Sequence, residues 1–166
     1  MKKIICFIFC LCIISFSGCK KESSGVIPIT TGLSFTAEIS YQDSVYTYDV
    51  TISKKSETEL TALSDEIKGL KYRFSGQTLT ERFNNLEHRV DISALPDRII
   101  TDFIHSVFLT VTEKQSKVIS ENDDFFITDQ NDKYSFKIYF GETGLPLKIE
   151  DTKKGITATI KNATIL

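Results

Sequence analysis

Hydrophobic and polar residues alternate along most of the chain from Leu33 onward. Alternation over 33–41 and again over 46–52 predicts two strands with one buried face each, and the polar residues between them predict a hairpin turn. Similar segments predict further strands, among them a weaker one at 60–63 and others at 70–74, 78–83, 124–128, 134–140, 147–151 and 156–161. Short polar turns join these segments, which indicates an antiparallel meander of about eight or nine strands.

A different spacing appears once, after Pro96 and Asp97. Apolar residues recur every three or four positions at Ile100, Phe103, Ile104, Val107, Phe108 and Val111. This spacing predicts one amphipathic helix over about 97–111, because proline and a carboxylate favour the first turn. Asp102 and His105 fall outside the apolar stripe. The helix needs an apolar surface to cover, and the concave face of the sheet is the candidate.

The N-terminus has the pattern of an export signal. Two lysines precede an apolar run of about 13 residues over 4–16, too short to span a bilayer as a helix. Phe16-Ser17-Gly18-Cys19 resembles the bacterial lipobox, with Phe16 where the family prefers leucine. The resemblance implies cleavage before Cys19, a lipid on its sulfur and anchoring to the outer face of the cytoplasmic membrane or to the outer membrane. The alternative, a buried helix of the mature domain, fits poorly with the abrupt polar segment after Cys19.

This interpretation divides the chain into a signal peptide (1–18), a lipidated tether (19–32) and one domain (33–166). The chain has 166 residues, 41% of them hydrophobic, as in folded proteins. Cys6, Cys10 and Cys12 would leave with the signal, which excludes cysteine catalysis, disulfides and thiolate metal sites from the domain. The formal charge of −2 becomes −4 because Lys2 and Lys3 also leave, and this disfavours a nucleic-acid partner.

The segment 140–149 reads Phe-Gly-Glu-Thr-Gly-Leu-Pro-Leu-Lys-Ile. It resembles the strand, Gly-Leu-Pro turn and following strand of the LolA/LolB-like family of lipoprotein carriers and receptors. The resemblance implies an α+β fold in which a curved antiparallel half-barrel holds acyl chains under a helix. The family's carrier is soluble, whereas this chain carries a predicted anchor, so the resemblance fits the receptor type or other lipoproteins of this fold.

Seven aromatic residues fall on the predicted inner face: Phe35, Tyr72, Phe74, Phe83, Phe103, Phe108 and Phe136. They either fill a core or line a cavity for a hydrophobic or acylated ligand. We therefore expect a membrane-anchored lipoprotein that binds such a ligand. The alternative is a non-enzymatic protein-interaction or sensor module of the cell envelope, whose protein partner the sequence does not identify.

Other chemistry has weak support, so we expect no enzymatic activity, cofactor or metal. His88 and His105 lack ligand spacing and are interpreted as surface histidines. The acidic segments 123–124 and 129–132 lack the calcium-loop pattern and indicate turns. His105-Ser106 lies in the helix, where the two side chains diverge. Two lysine pairs, at 20–21 and 54–55, either contact anionic lipid headgroups or lie in solvated segments.

Overall fold

The computed structural model describes residues 32–94, 100–122 and 124–166. The predicted signal peptide, Cys19, Pro96, Asp97 and Asp123 lie outside these ranges. The described residues form eleven strands and one helix: β1 (Leu33–Tyr41), β2 (Ser44–Ile52), β3 (Thr58–Ala62), β4 (Lys71–Ser75), β5 (Thr78–Phe83), β6 (Leu86–Asp91), α1 (Ile100–Lys114), β7 (Ile119–Glu121), β8 (Asp124–Gln130), β9 (Ser135–Phe140), β10 (Pro146–Asp151) and β11 (Thr157–Ile165). Short 3-10 turns lie at Asp65–Ile67 and Ile92–Ala94.

All strands belong to one open antiparallel sheet, in the order β6-β5-β4-β3-β2-β1-β11-β10-β9-β8-β7. Consecutive strands are neighbours on each side, which confirms the predicted meander. The first and last strands of the domain pair with each other at the centre, where Ala37 lies opposite Ile160. Two arms therefore extend from a central β1–β11 pair, one ending at β6 and the other at β7.

The alternation read from the sequence decides which face of the sheet is buried. Leu33, Phe35, Ala37 and Ile39 are buried, while the residues between them are partly exposed. The β2 residues opposite them lie on the same face of the sheet; Ile52, for example, lies opposite Leu33 and is buried. We call this buried side the inner face.

Helix α1 packs on the inner face and contacts both arms as well as the centre. The ring of Phe108 lies 5.8 Å from that of Phe35 in β1, and the ring of Phe103 lies 5.2 Å from that of Tyr134 between β8 and β9. The predicted helix is confirmed, but it continues to Lys114, beyond the predicted end at 111. Its last turn is polar, and Lys114 donates a hydrogen bond to Asp129 at 2.9 Å.

The predicted number of strands was too low, since neither β6 nor the three-residue β7 is among the segments counted from the sequence. Leu86 is followed by Glu87, His88 and Arg89, which break any apolar alternation. Among the described strands, β6 pairs only with β5 and forms one edge of the sheet. Charged side chains are typical of an edge strand, because they oppose pairing with other chains.

Candidate functional site

Five of the seven predicted ligand-binding residues lie in the packed interior beneath α1: Phe35, Phe74, Phe103, Phe108 and Phe136. Each has at most 3% of its surface accessible. A side chain with so little accessible surface borders almost no solvent and almost no internal space that could hold a water molecule. In this structure these five rings therefore fill a core with their neighbours.

The other two predicted residues, Tyr72 and Phe83, lie on the inner face but are not fully buried. Phe83 is 46% exposed, although it has the same phase as the fully buried Leu79 on β5. Its cross-strand partner Leu86 is 75% exposed. Tyr72 is half-buried, and its ring packs edge-on against that of Tyr48 at 6.3 Å.

We call Tyr72, Glu81, Phe83, Leu86 and His88 the open patch. Strand register places them on one face of β4, β5 and β6, since Tyr72 lies opposite Glu81, Glu81 opposite His88 and Phe83 opposite Leu86. The Glu81 carboxylate and the His88 Nδ1 atom lie 3.4 Å apart. The open patch is thus an apolar and aromatic surface with one polar pair, and it continues directly into the buried core.

Tyr72 in the open patch and the neighbouring Tyr48 keep their protons at neutral pH. Burial raises the pKa of Tyr48, and the neighbouring Tyr72 and Tyr46 raise it further. Burial also raises the pKa of Tyr72, with an added contribution from Glu81. Neutral phenols present an aromatic surface with a hydroxyl group, which suits a ligand that has both apolar and polar parts.

His105 is buried, and its interpretation as a surface residue is wrong. Its Nδ1 atom lies 3.0 Å from the Thr58 hydroxyl of β3, and its ring stacks on Phe74 of β4 at 4.7 Å. Burial lowers the pKa of His105 to about 4; Asp102 opposes this shift and Lys133 adds to it. The ring is therefore neutral at physiological pH. His88 is exposed, as predicted.

Asp102 is also buried, although it lies outside the apolar stripe. Its carboxylate contacts Lys133 at 3.1 Å and accepts hydrogen bonds from Tyr134 at 3.4 Å and Ser106 at 3.1 Å. These contacts fasten the start of α1 to the turn between β8 and β9. The apolar periodicity of α1 indicates a single buried face. The side of the helix that carries Asp102 is buried as well, by a turn that is distant in sequence.

His105 and Ser106 do diverge, because one binds Thr58 and the other binds Asp102. This confirms their predicted separation.

The predicted turn at 129–132 is shorter than expected: Asp129 and Gln130 end β8, and the turn begins at Asn131. Asn131 accepts hydrogen bonds from the backbone N–H groups of Lys133 and Tyr134 at 3.0 and 2.8 Å. Burial alone would raise the pKa of Asp129, but hydrogen bonds from Ser116 and Lys114 lower it below its ordinary value. Among the described side chains, His, Cys, Asp and Glu form no group of three that could hold a metal ion.

Within the described ranges, no helix combines the length and hydropathy needed to cross a membrane.

Comparison with known structures yields matches that span most of the chain. An uncharacterized conserved protein from Thermus thermophilus matches with a TM-score of 0.51 and 8% identity, over 84% of this chain and 81% of its own. A LolA superfamily protein from Nitrosomonas europaea matches with a TM-score of 0.40 and 11% identity, over 81% of this chain and 85% of its own. The lipoprotein LppX from Mycobacterium tuberculosis matches with a TM-score of 0.41 and 11% identity, over 80% and 86%.

No protein-family model and no curated protein sequence matches the chain. The chain shares the overall fold of the Thermus protein, and at 8% identity the likeness is one of fold alone.

Proposed function

We propose that this chain is an envelope lipoprotein, anchored through a lipid on Cys19, that binds a hydrophobic or acylated ligand on its inner face and has no enzymatic activity. One observation carries the proposal: the inner face extends beyond α1 as the open patch, where Phe83 and Leu86 remain exposed. An acyl chain can bind such a surface without directional hydrogen bonds, because burial of apolar area alone supplies the free energy.

The free energy available is sufficient for a single acyl chain. Full burial of an exposed leucine or phenylalanine contributes about 1.5–3 kcal/mol, so covering the accessible parts of Phe83 and Leu86 contributes about 3 kcal/mol in total. Each methylene of the ligand that leaves water adds about 0.8 kcal/mol. Binding of micromolar strength needs about 8 kcal/mol after about 4 kcal/mol or more is lost with the ligand's translational and rotational freedom, so a long acyl chain is required.

A ligand that reaches further under the helix needs α1 to move. Phe103 and Phe108 are fully covered, and the contacts of Asp102 with Lys133 and Tyr134 hold the start of α1 in place. We therefore expect the ligand to bind first at the open patch and to reach the aromatic core only after these contacts open.

Titration of a dansyl-labelled fatty acid into the purified segment 20–166 tests the proposal, because this segment lacks the lipidated cysteine. We expect saturable fluorescence enhancement that weakens at least tenfold in the Phe83→Ser/Leu86→Ser double variant. Val45→Ser is the matched control, since Val45 is also exposed but lies on the opposite face of the sheet. No binding by the parent segment, or equal binding by the parent segment and the double variant, would overturn the proposal.

A second function, docking of an envelope protein on the sheet, is favoured by the filled core beneath α1. It predicts that the fatty acid does not bind. It also predicts that a photo-crosslinking residue at Phe83 captures one specific envelope protein, while the same residue at Val45 captures none.

A further inference from the structure

The two ends of the domain meet at one rim of the sheet. The carbonyl oxygen of Gly32 accepts a hydrogen bond from the backbone N–H of Leu166 at 3.2 Å. A Cβ atom on Gly32 would lie 3.4 Å from the Cβ of Leu166 and 3.7 Å from the backbone nitrogen of Lys54. Gly32, Leu166 and the turn between β2 and β3 therefore lie side by side. We call Gly32, Lys54, Lys55, Ile165 and Leu166 the tether rim.

The tether rim combines exposed apolar and basic side chains. Ile165 is 54% exposed and Leu166 is 58% exposed. Lys54 and Lys55 are also exposed, and no ion pair to a described residue is found for either lysine. Apolar side chains beside lysines are the composition by which a protein surface binds the interface of an anionic membrane.

The acidic residue of the same turn does not cancel this charge. Glu57 accepts hydrogen bonds from Arg73 at 3.0 Å and from Ser75 at 3.0 Å. The hydrogen bond from Arg73 lowers the pKa of Glu57 most, and the bond from Ser75 lowers it further. The positive charge of Lys55 makes a smaller contribution in the same direction. Glu57 is therefore ionised and bound by Arg73, which also lies 3.4 Å from Glu59, and among the described residues neither carboxylate forms an ion pair with Lys54 or Lys55.

We infer that the tether rim binds the surface of an anionic membrane directly, with Lys54 and Lys55 on lipid phosphates and with Ile165 and Leu166 in the interface. The chain from Cys19 to Gly32 spans at most about 45 Å, so an anchored domain keeps this rim within reach of the bilayer. Each lysine at an anionic surface strengthens binding about fivefold. This contact uses none of the residues of the open patch and does not depend on the proposed ligand.

The contact also fixes the orientation of the domain. β5 begins on the side of the sheet where β1 begins, and it ends at Phe83 on the opposite side, next to the start of β6. With the tether rim on the membrane, the end of the open patch at Phe83 and Leu86 points away from that membrane.

The sequence contains no tryptophan, so a single introduced tryptophan reports its own position. We would reconstitute the processed, lipidated protein in phosphatidylglycerol vesicles whose acyl chains carry bromine, which quenches tryptophan at short range. We expect strong quenching for Leu166→Trp and little for Val45→Trp, which lies at the opposite rim and outside the open patch. Lys54→Glu/Lys55→Glu in the Leu166→Trp background should reduce the quenching at least threefold.

Lys68→Glu/Lys71→Glu is the matched control, because it makes the same charge change with exposed lysines at the opposite rim. It should leave the quenching within about 20% of the parent value. Equal quenching at positions 166 and 45, or equal effects of the two charge variants, would overturn the inference. Mass spectrometry of the same sample shows whether Cys19 carries lipid, which separates a failure of anchoring from a failure of the rim contact.

Discussion

Replacement of His105 by glutamine tests how the helix is held against the sheet. The imidazole is buried between Thr58 and Phe74, and burial lowers its pKa from 6.5 to about 4. Glutamine keeps a polar group near Thr58 but cannot gain a proton. We expect the substitution to lower the free energy of unfolding by about 1–3 kcal/mol at neutral pH and to change its dependence on pH.

The sign of the pH effect follows from the lowered pKa. The unfolded chain binds a proton on His105 below pH 6.5, while the folded chain binds it only near pH 4. The stability due to the neutral buried ring is therefore fully present above pH 6.5 and is lost as the pH falls toward 4. Between pH 7 and pH 5 this residue accounts for a loss of about 2 kcal/mol in the wild-type protein.

Urea unfolding followed by circular dichroism, at pH 7 and pH 5, measures this loss. The wild-type protein should lose about 2 kcal/mol more than His105→Gln over this interval. His88→Gln is the control: it removes the other histidine of the chain, which is exposed, and should retain the wild-type pH dependence. The reasoning is refuted if His105→Gln and the wild-type protein lose the same free energy between pH 7 and pH 5.

Three further substitutions test the core, the buried ion pair and a turn by the same urea assay. Phe108→Ala should lower the free energy of unfolding by about 3–5 kcal/mol, because the ring is fully buried; a loss below 1 kcal/mol would contradict a filled core. Asp102→Ala should lower it by about 3–5 kcal/mol, because Lys133 loses its partner. Adding Lys133→Met to this variant should restore part of the loss. Additive losses from the two substitutions would contradict the pairing. Gly155→Ala should lower the free energy of unfolding by about 1 kcal/mol through its φ of 69° alone, since a Cβ atom there meets nothing within 4 Å, and an unchanged midpoint would contradict this.

The sequence predicted the features that depend on local periodicity. Alternation in β1 identified Phe35 as a residue of the inner face, and the apolar stripe identified Phe108 as a helix residue that packs on it. The same patterns could not show how far α1 covers the sheet. Phe83 has the correct phase but lies beyond that cover, so it is exposed.

Contacts between elements distant in sequence were missed for a related reason. Nothing in the helix indicates that the turn carrying Lys133 and Tyr134 would cover Asp102, because this contact depends on the curvature of the whole sheet. His105 was misjudged because β3 and β4 cover its side of the helix. Neither residue carries a local signal of burial.

The position of β1 in the sheet has a mechanical consequence for a protein held by its N-terminal side. β1 is bonded along its length to β2 on one side and to β11 on the other. A force applied through Gly32 would load both ladders in shear, so many hydrogen bonds would have to fail together. A force applied through an edge strand such as β6 would instead break the hydrogen bonds of one strand pair one after another. The proposed anchor on Cys19 would therefore pull on the domain at a place where its fold can bear tension.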